Sequence, residues 1–220
     1  TGSEVTPWAT LWDLDAKPAS KRSWASTQGF ADQAWIDPNL TLSCPEGLTR
    51  DTALDTLAHA LESIWNHHAN EITRPLAVRS ARMVLQTLPA LLKSPQDTGL
   101  REQMSQASVL AGLAMSQTQT ALAHALSYDL TLHENLPHGH ACAVWLPMVL
   151  DIAAAISPQV QDDLAHVFDC RWQQAREHLT NWLQNLGIAP RELRQNPVGL
   201  YQLQQALASP RGRNFVGSTA

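Results

Sequence analysis

Apolar side chains return every three or four positions in Thr49-Arg-Asp-Thr-Ala-Leu-Asp55-Thr-Leu-Ala-His59-Ala-Leu-Glu62-Ser-Ile-Trp65. Leu54, Leu57, Ala58, Leu61, Ile64 and Trp65 fall on one stripe of an α-helix, which the spacing carries to about Asn66. Thr49 is the predicted N-cap, and Asp51 lies in the first turn, where the helix dipole favours a negative charge. Helical spacing then runs to the end of the chain. Pro75 suits the first position of a second helix, and further helices are predicted near 98–116, 118–130, 140–156, 159–186 and 197–208. No strand is expected after residue 49. The first 45 residues differ, being rich in Ser, Thr and Pro, with β-prone runs at Val5–Trp12 and Gln33–Asp37. The expected class is mostly all-α, with a short extended segment in front.

Composition narrows the function. With 220 residues, 44% hydrophobic and 16% charged, the chain can bury a core of its own. Fifteen Lys and Arg against twenty Asp and Glu give a formal charge of −5, and no basic run exists, which argues against a nucleic-acid partner. The longest apolar run, around Ala141 to Leu150, is too short to span a bilayer and is broken by Pro147. The three cysteines form no CxxC pattern, which points to a reducing, cytoplasmic setting rather than a disulfide framework. Cys142, inside an apolar helix, reads as a small hydrophobe. The opening Thr-Gly-Ser-Glu-Val-Thr-Pro reads like the middle of a polypeptide, so a preceding portion is expected.

The nine histidines draw attention to a site. Asp55 and His59, four apart on a helix, share a face and could chelate one divalent ion; an ordinary surface pair has the same spacing. His124 stands in an otherwise small and apolar helix, where a core histidine bonded to a carbonyl is the plainer reading. Leu136-Pro-His138-Gly-His140 places two histidines around a glycine that permits close backbone approach. One carboxylate and three imidazoles from three segments would suit Fe²⁺, Zn²⁺, Co²⁺ or Ni²⁺ better than Mg²⁺ or Ca²⁺.

Taken together, Thr1-Gly-Ser-Glu-Val-Thr, Asp37-Pro-Asn-Leu-Thr, Asp55-Thr-Leu-Ala-His59-Ala-Leu-Glu62, His124-Ala-Leu-Ser-Tyr and Leu136-Pro-His138-Gly-His resemble the iron-containing (group III) alcohol dehydrogenases, in the family's order. The resemblance implies a helical metal-binding domain at 46–220, of dehydroquinate-synthase-like architecture, preceded at 1–45 by the tail end of a dinucleotide-binding α/β domain. It implies Asp55, His59, His124 and His138 as ligands of one catalytic divalent metal, Fe²⁺ before Zn²⁺ or Ni²⁺. It implies contacts of NAD(P)H with Thr1, Trp8 and Lys21. The family's glycine-rich dinucleotide segment lies before the Gly-Thr-x-Ser-Glu motif and is not in this chain.

Tyr128 stands where many members carry a His, and its surroundings look most like the subgroup that reduces phosphonoacetaldehyde. On that reading Tyr128 and His140 act at the reacting centre, His133 faces the substrate, and Arg211 or Arg213 folds back toward an anionic group. The implied reaction is hydride transfer between the nicotinamide and a small alcohol or aldehyde, in a homo-oligomer, a dimer. A metal-dependent lyase of the dehydroquinate-synthase type shares the architecture but needs several basic residues around its polyanionic substrate. A non-catalytic helical module that binds only a partner is the remaining alternative.

Overall fold

The computed structural model describes residues 2–218 except 14, 16, 18 and 19; for residues 10, 12, 13 and 20–23 it describes the backbone alone. Among the described residues are two strands, β1 (Trp8–Asp13) and β2 (Ser20–Ala25), and nine α-helices. The helices are α1 (Glu46–Ile64), α2 (Thr73–Lys93), α3 (Thr98–Thr118), α4 (Leu122–His133), α5 (His138–Ala143), α6 (Leu146–Ile156), α7 (Pro158–Phe168), α8 (Trp172–Asn185) and α9 (Pro197–Ala208). The strands form an antiparallel hairpin in which Trp8 faces Ala25 and Asp13 faces Ser20. No described helix is long and apolar enough to cross a membrane.

Helix α1 is the axis of the molecule and packs on α2, α3, α4 and α5. Its stripe is not one-sided, because every residue from Ala53 to Ile64 is buried. A helix closed on all sides belongs to the centre of a core. That removes the solvated reading of its polar members: Asp55, His59 and Glu62 must find partners inside the protein.

Several boundaries move, each for a local reason. Helix α1 starts at Glu46, after Pro45, and Thr49 N–H already donates to the Pro45 carbonyl. Thr49 is therefore inside the helix, and its hydroxyl accepts from Nη1 of the buried Arg101 at 2.9 Å. Helix α2 begins before Pro75, at Thr73, because the Asn70 side chain accepts from the Ile72 and Thr73 N–H groups. The predicted 140–156 helix begins at His138 and divides at Trp145, and the 159–186 helix breaks where Asp169 turns left-handed at φ 52°. Gln33–Asp37 is not a strand, whereas Ser20–Ala25 is.

A charged lattice joins α6, α8 and the segment before α9. Arg176 reaches Asp151 at 2.8 Å and Glu192 at 3.1 Å, while Arg194 reaches Asp151 at 2.9 Å and Glu192 at 2.7 Å. Hydrogen bonding from Arg194 is the main reason the Glu192 carboxyl is held down to about 2. A carboxyl depressed in the folded state adds stability above its unfolded value of 4.5 and loses it as pH falls toward about 2. Glu192→Gln should therefore melt below the wild type at pH 7. Thermal melts from pH 7 downward should show that gap closing between pH 4.5 and 2, and a pH-independent gap would remove the lattice from the account.

Candidate metal centre

Glu62 organises the site. Its carboxylate is completely buried and accepts from the backbone N–H groups of Ala121 (2.9 Å), Ala123 (2.5 Å) and His124 (3.2 Å), at the start of α4. The same carboxylate lies 2.6 Å from Nδ1 of His124. A carboxylate at a helix N-terminus meets unpaired N–H groups and the positive end of the dipole. Holding Nδ1 fixes the ring and turns Nε2 inward.

That Nε2 points at Asp55. The Asp55 Oδ1 atom lies 3.5 Å from Nε2 of His59, 3.4 Å from Nε2 of His124 and 3.7 Å from Nε2 of His138. Two ligands bound about 2.1 Å from a tetrahedral ion are separated by roughly 3.4 Å, so each imidazole stands at the spacing from Asp55 that two ligands of one ion would have. The rings of His59 and His124 stack at 4.8 Å, 14° from parallel. Asp55 Oδ1 and His124 Nε2 are buried without a hydrogen-bond partner. Burial alone would raise the Asp55 carboxyl, but His59, His124 and His138 outweigh it and hold it well below the usual carboxylate range. Burial lowers the His59 imidazole to about 4 against the pull of Asp55, so it is neutral at neutral pH, the form that binds metal. An anionic oxygen, the neutral imidazole of His59 and two buried polar atoms without partners fit a divalent transition metal, which would take the place of the protons that His124 and His138 otherwise hold. They do not form a self-satisfied core cluster.

The Gly139 position brings His138 to this place. A Cβ there would lie 1.8 Å from the Asp51 carbonyl oxygen and 2.9 Å from the Asp55 backbone nitrogen. Helix α5 thus presses on the backbone of α1 at the turn that carries Asp55, an approach open only to glycine.

A cavity of about 420 Å³ opens over the cluster. Trp8 and Ala9 of β1, Thr6, Gln119, Thr120 and Arg211 line it together with Asp55, His59, His124 and His138. Gln119 has φ 65° and ψ 175°, a conformation that strains any residue but glycine, and it stands at the cavity wall. Arg211 donates to the Thr120 hydroxyl and lies 5.7 Å over the Tyr128 ring. Its tail runs back to α1, where Asn66 and Phe215 pair as an isolated bridge.

Comparison with known proteins gives this geometry its relatives. A sequence model described as "Fe-containing alcohol dehydrogenase family, C-terminal" matches residues 49–204. The chain belongs to that family. It is similar to a 1-propanol dehydrogenase of Salmonella typhimurium, 36% identical over 156 residues, 71% of this chain and 42% of that protein. It is 30% identical over 167 residues to a 1,3-propanediol dehydrogenase of Klebsiella pneumoniae, 76% of this chain and 43% of that one. Among solved structures, a sulfoacetaldehyde reductase from Bifidobacterium kashiwanohense in complex with NAD⁺ overlays with a TM-score of 0.87 at 28% identity, covering 100% of this chain and 59% of that one. The chain thus spans less than half the length of these curated relatives.

Within this family member, the four side chains taken from sequence as ligands converge, and Trp8 lines the cavity above them. Thr1 and the side chain of Lys21 lie outside the described residues. Tyr128 is part-buried beneath Arg211, and burial pushes its hydroxyl up. His133 is exposed at the end of α4 and sits 3.2 Å from the Asp129 carbonyl, away from the cavity lining. His140 is half-buried near Asp51 and Arg50 and does not line the cavity. Arg211 reaches the cavity, whereas Arg213 is exposed.

Sequence reasoning missed the partnership of Glu62 with His124. The available signal was spacing, since Asp55, His59 and Glu62 fall at i, i+4 and i+7 on one face of α1. Gly139→Ala should drive α5 off α1, destabilising the fold by roughly 1–3 kcal/mol and displacing His138. Thermal melting and elemental analysis of the purified variant check this. A Gly139→Ala protein with wild-type melting and metal content would refute the close-approach argument.

Proposed function

We propose that this chain is the metal-holding part of an NAD(P)-linked alcohol dehydrogenase or aldehyde reductase. In it Asp55, His59, His124 and His138 hold one divalent ion, Fe²⁺ before Zn²⁺ or Ni²⁺. The observation that carries the reading is the meeting of three imidazole Nε2 atoms on one buried carboxylate oxygen under a cavity. Relatives named as propanol and propanediol dehydrogenases, and a structural neighbour holding NAD⁺, support the reaction class. We assign residues 1–45 to the end of a dinucleotide-binding α/β domain and 46–220 to the helical metal-binding domain. Thr1, Trp8 and Lys21 are then the nicotinamide-side contacts.

When bound, the ion supplies Lewis-acid polarisation of the reacting oxygen, and NAD(P)H supplies the hydride. The protein's own part is placement and exclusion of water. Glu62 keeps the Nε2 lone pair of His124 aimed inward, Gly139 keeps His138 against α1, and Trp8 with Ala9 covers the cavity from the strand side. Neither His133 nor His140 is among the described residues that line the cavity. Tyr128, with its hydroxyl protonated, serves as the platform under Arg211.

The substrate in this reading is a small anionic aldehyde, with phosphonoacetaldehyde as the specific choice. Arg211 is the one guanidinium among the described lining residues, and Asp55 is the one carboxylate. A cavity so charged accommodates a phosphonate or sulfonate, which would be costly to leave unpaired in a dry site. The similarity to a sulfoacetaldehyde reductase agrees with that charge class. A dehydroquinate-synthase-type lyase finds less support, because its polyanionic substrate calls for several cations where the described lining has one arginine.

His138→Ala should lower metal affinity by about tenfold or more, and unchanged metal content by elemental analysis would strike His138 from the ligands. For the substrate, specificity constants for phosphonoacetaldehyde and butanal, measured on the full-length enzyme that includes the dinucleotide-binding part, should favour the phosphonate. Arg211→Ala should cut that preference about 10- to 100-fold, the effect of losing a charge-assisted hydrogen bond, with butanal little changed. A tenfold preference for butanal in the wild type would discard the anionic substrate and leave the metal site standing.

A further inference from the structure

Cys142 differs from the other two cysteines. Cys44 and Cys170 are half-buried, while Cys142 is closed to solvent and stands one helical turn after His138 on α5. Its Sγ lies 3.9 Å from Nε2 of His138. With Asp55, His124 and His138 it makes a group whose four donor atoms all lie within 4.8 Å of one another. In that group Asp55 Oδ1 and His124 Nε2 are buried and have no hydrogen-bond partner. A cysteine that only filled core space would turn its sulfur toward carbon. This one turns it toward the nitrogens that converge on Asp55. The close seat of Gly139 on α1 holds α5, and with it Cys142, in that register.

We propose that Cys142 is an additional donor to the divalent ion, so that a soft sulfur supplements the carboxylate and imidazole set. Its thiolate tilts the site toward Zn²⁺ and Co²⁺ and away from Mn²⁺ and Mg²⁺. On binding, the S–H bond breaks, the proton passes to solvent, and the sulfur electron pair forms the bond to the ion, with no change of oxidation state. This inference rests on the reading of the cluster as a metal centre.

The test uses the protein stripped with a chelator and reloaded with Co²⁺. The expected spectrum has visible ligand-field bands at one equivalent, together with a near-ultraviolet sulfur-to-cobalt charge-transfer band. Cys142→Ser and Cys142→Ala should keep the visible bands and lose the charge-transfer band. Their Zn²⁺ affinity should fall by about tenfold or more, with Mn²⁺ affinity changing less. Should both variants fail to fold, the wild-type spectrum decides alone, because the charge-transfer band needs sulfur on the ion. Visible bands without charge transfer in the wild type would overturn the role of Cys142 and leave the metal centre intact. Failure to bind Co²⁺ or Zn²⁺ at all would overturn both.

Discussion

A carboxylate taken fully out of water loses several kcal/mol of solvation even after the protein relaxes around it. Glu62 is such a group, and the structure around it supplies three backbone N–H donors and one imidazole in return. Those donors belong to α4 and the acceptor belongs to α1. The two helices are therefore fixed to each other by a contact that tolerates little slippage, because sliding α4 by one residue would leave the charge unpaired. The same contact fixes the ring of His124. One contact thus serves both the packing of α4 on α1 and the orientation of a site residue.

The other buried charges help identify which cluster is functional. Arg101 is buried but satisfied: it donates to the Pro95 carbonyl at 2.9 Å, to Thr49 Oγ1 at 2.9 Å and to the Cys44 carbonyl at 3.3 Å. Asp163 is held by Arg74. Asp55 Oδ1 and His124 Nε2 are buried without a hydrogen-bond partner, and the strained backbone of Gln119 stands at the same cavity. Proteins violate local rules where function requires it. Two such atoms meeting 3.4 Å apart under a cavity are a physical argument for a ligand that is independent of any relative.

How much of this could be read from sequence depends on the range of each interaction. The Asp55–His59 pair and the apolar spacing of α1 are local, and both were legible. The helical class followed from the same periodicity, and the glycine between His138 and His140 announced a close approach. Glu62 was not legible as a partner of His124, because 62 residues separate them and its polar side chain resembles any helix-surface glutamate. The real start of α1 was hidden because Thr49 looks like a cap, while its hydroxyl is engaged by Arg101, 52 positions away. Strand β2, Ser-Lys-Arg-Ser-Trp-Ala, lacks the alternation of a half-buried strand and is defined by its pairing with β1. Asp169 ends a helix in a left-handed conformation that its type permits but does not demand.

Arg211 shows how the cavity draws its charge from the far end of the chain. Gly212 lets the tail pass α9, since a Cβ there would lie 1.9 Å from the Ala206 carbonyl oxygen. Beyond it, His67 donates to the Asn214 carbonyl at 2.8 Å and Val216 donates to the Trp65 carbonyl at 3.2 Å, so the tail is anchored where α1 ends. Asn66 in turn donates to the Gln119 carbonyl at 3.2 Å, at the strained residue on the cavity wall. Helix α1 thus carries Asp55 and His59 along its length and holds, at its C-terminal end, both the tail that bears Arg211 and the turn that leads into α4. The proposed anion contact and metal cluster share one rigid support. A substitution that shifts the end of α1, such as one at the fully buried Trp65, would disturb both together.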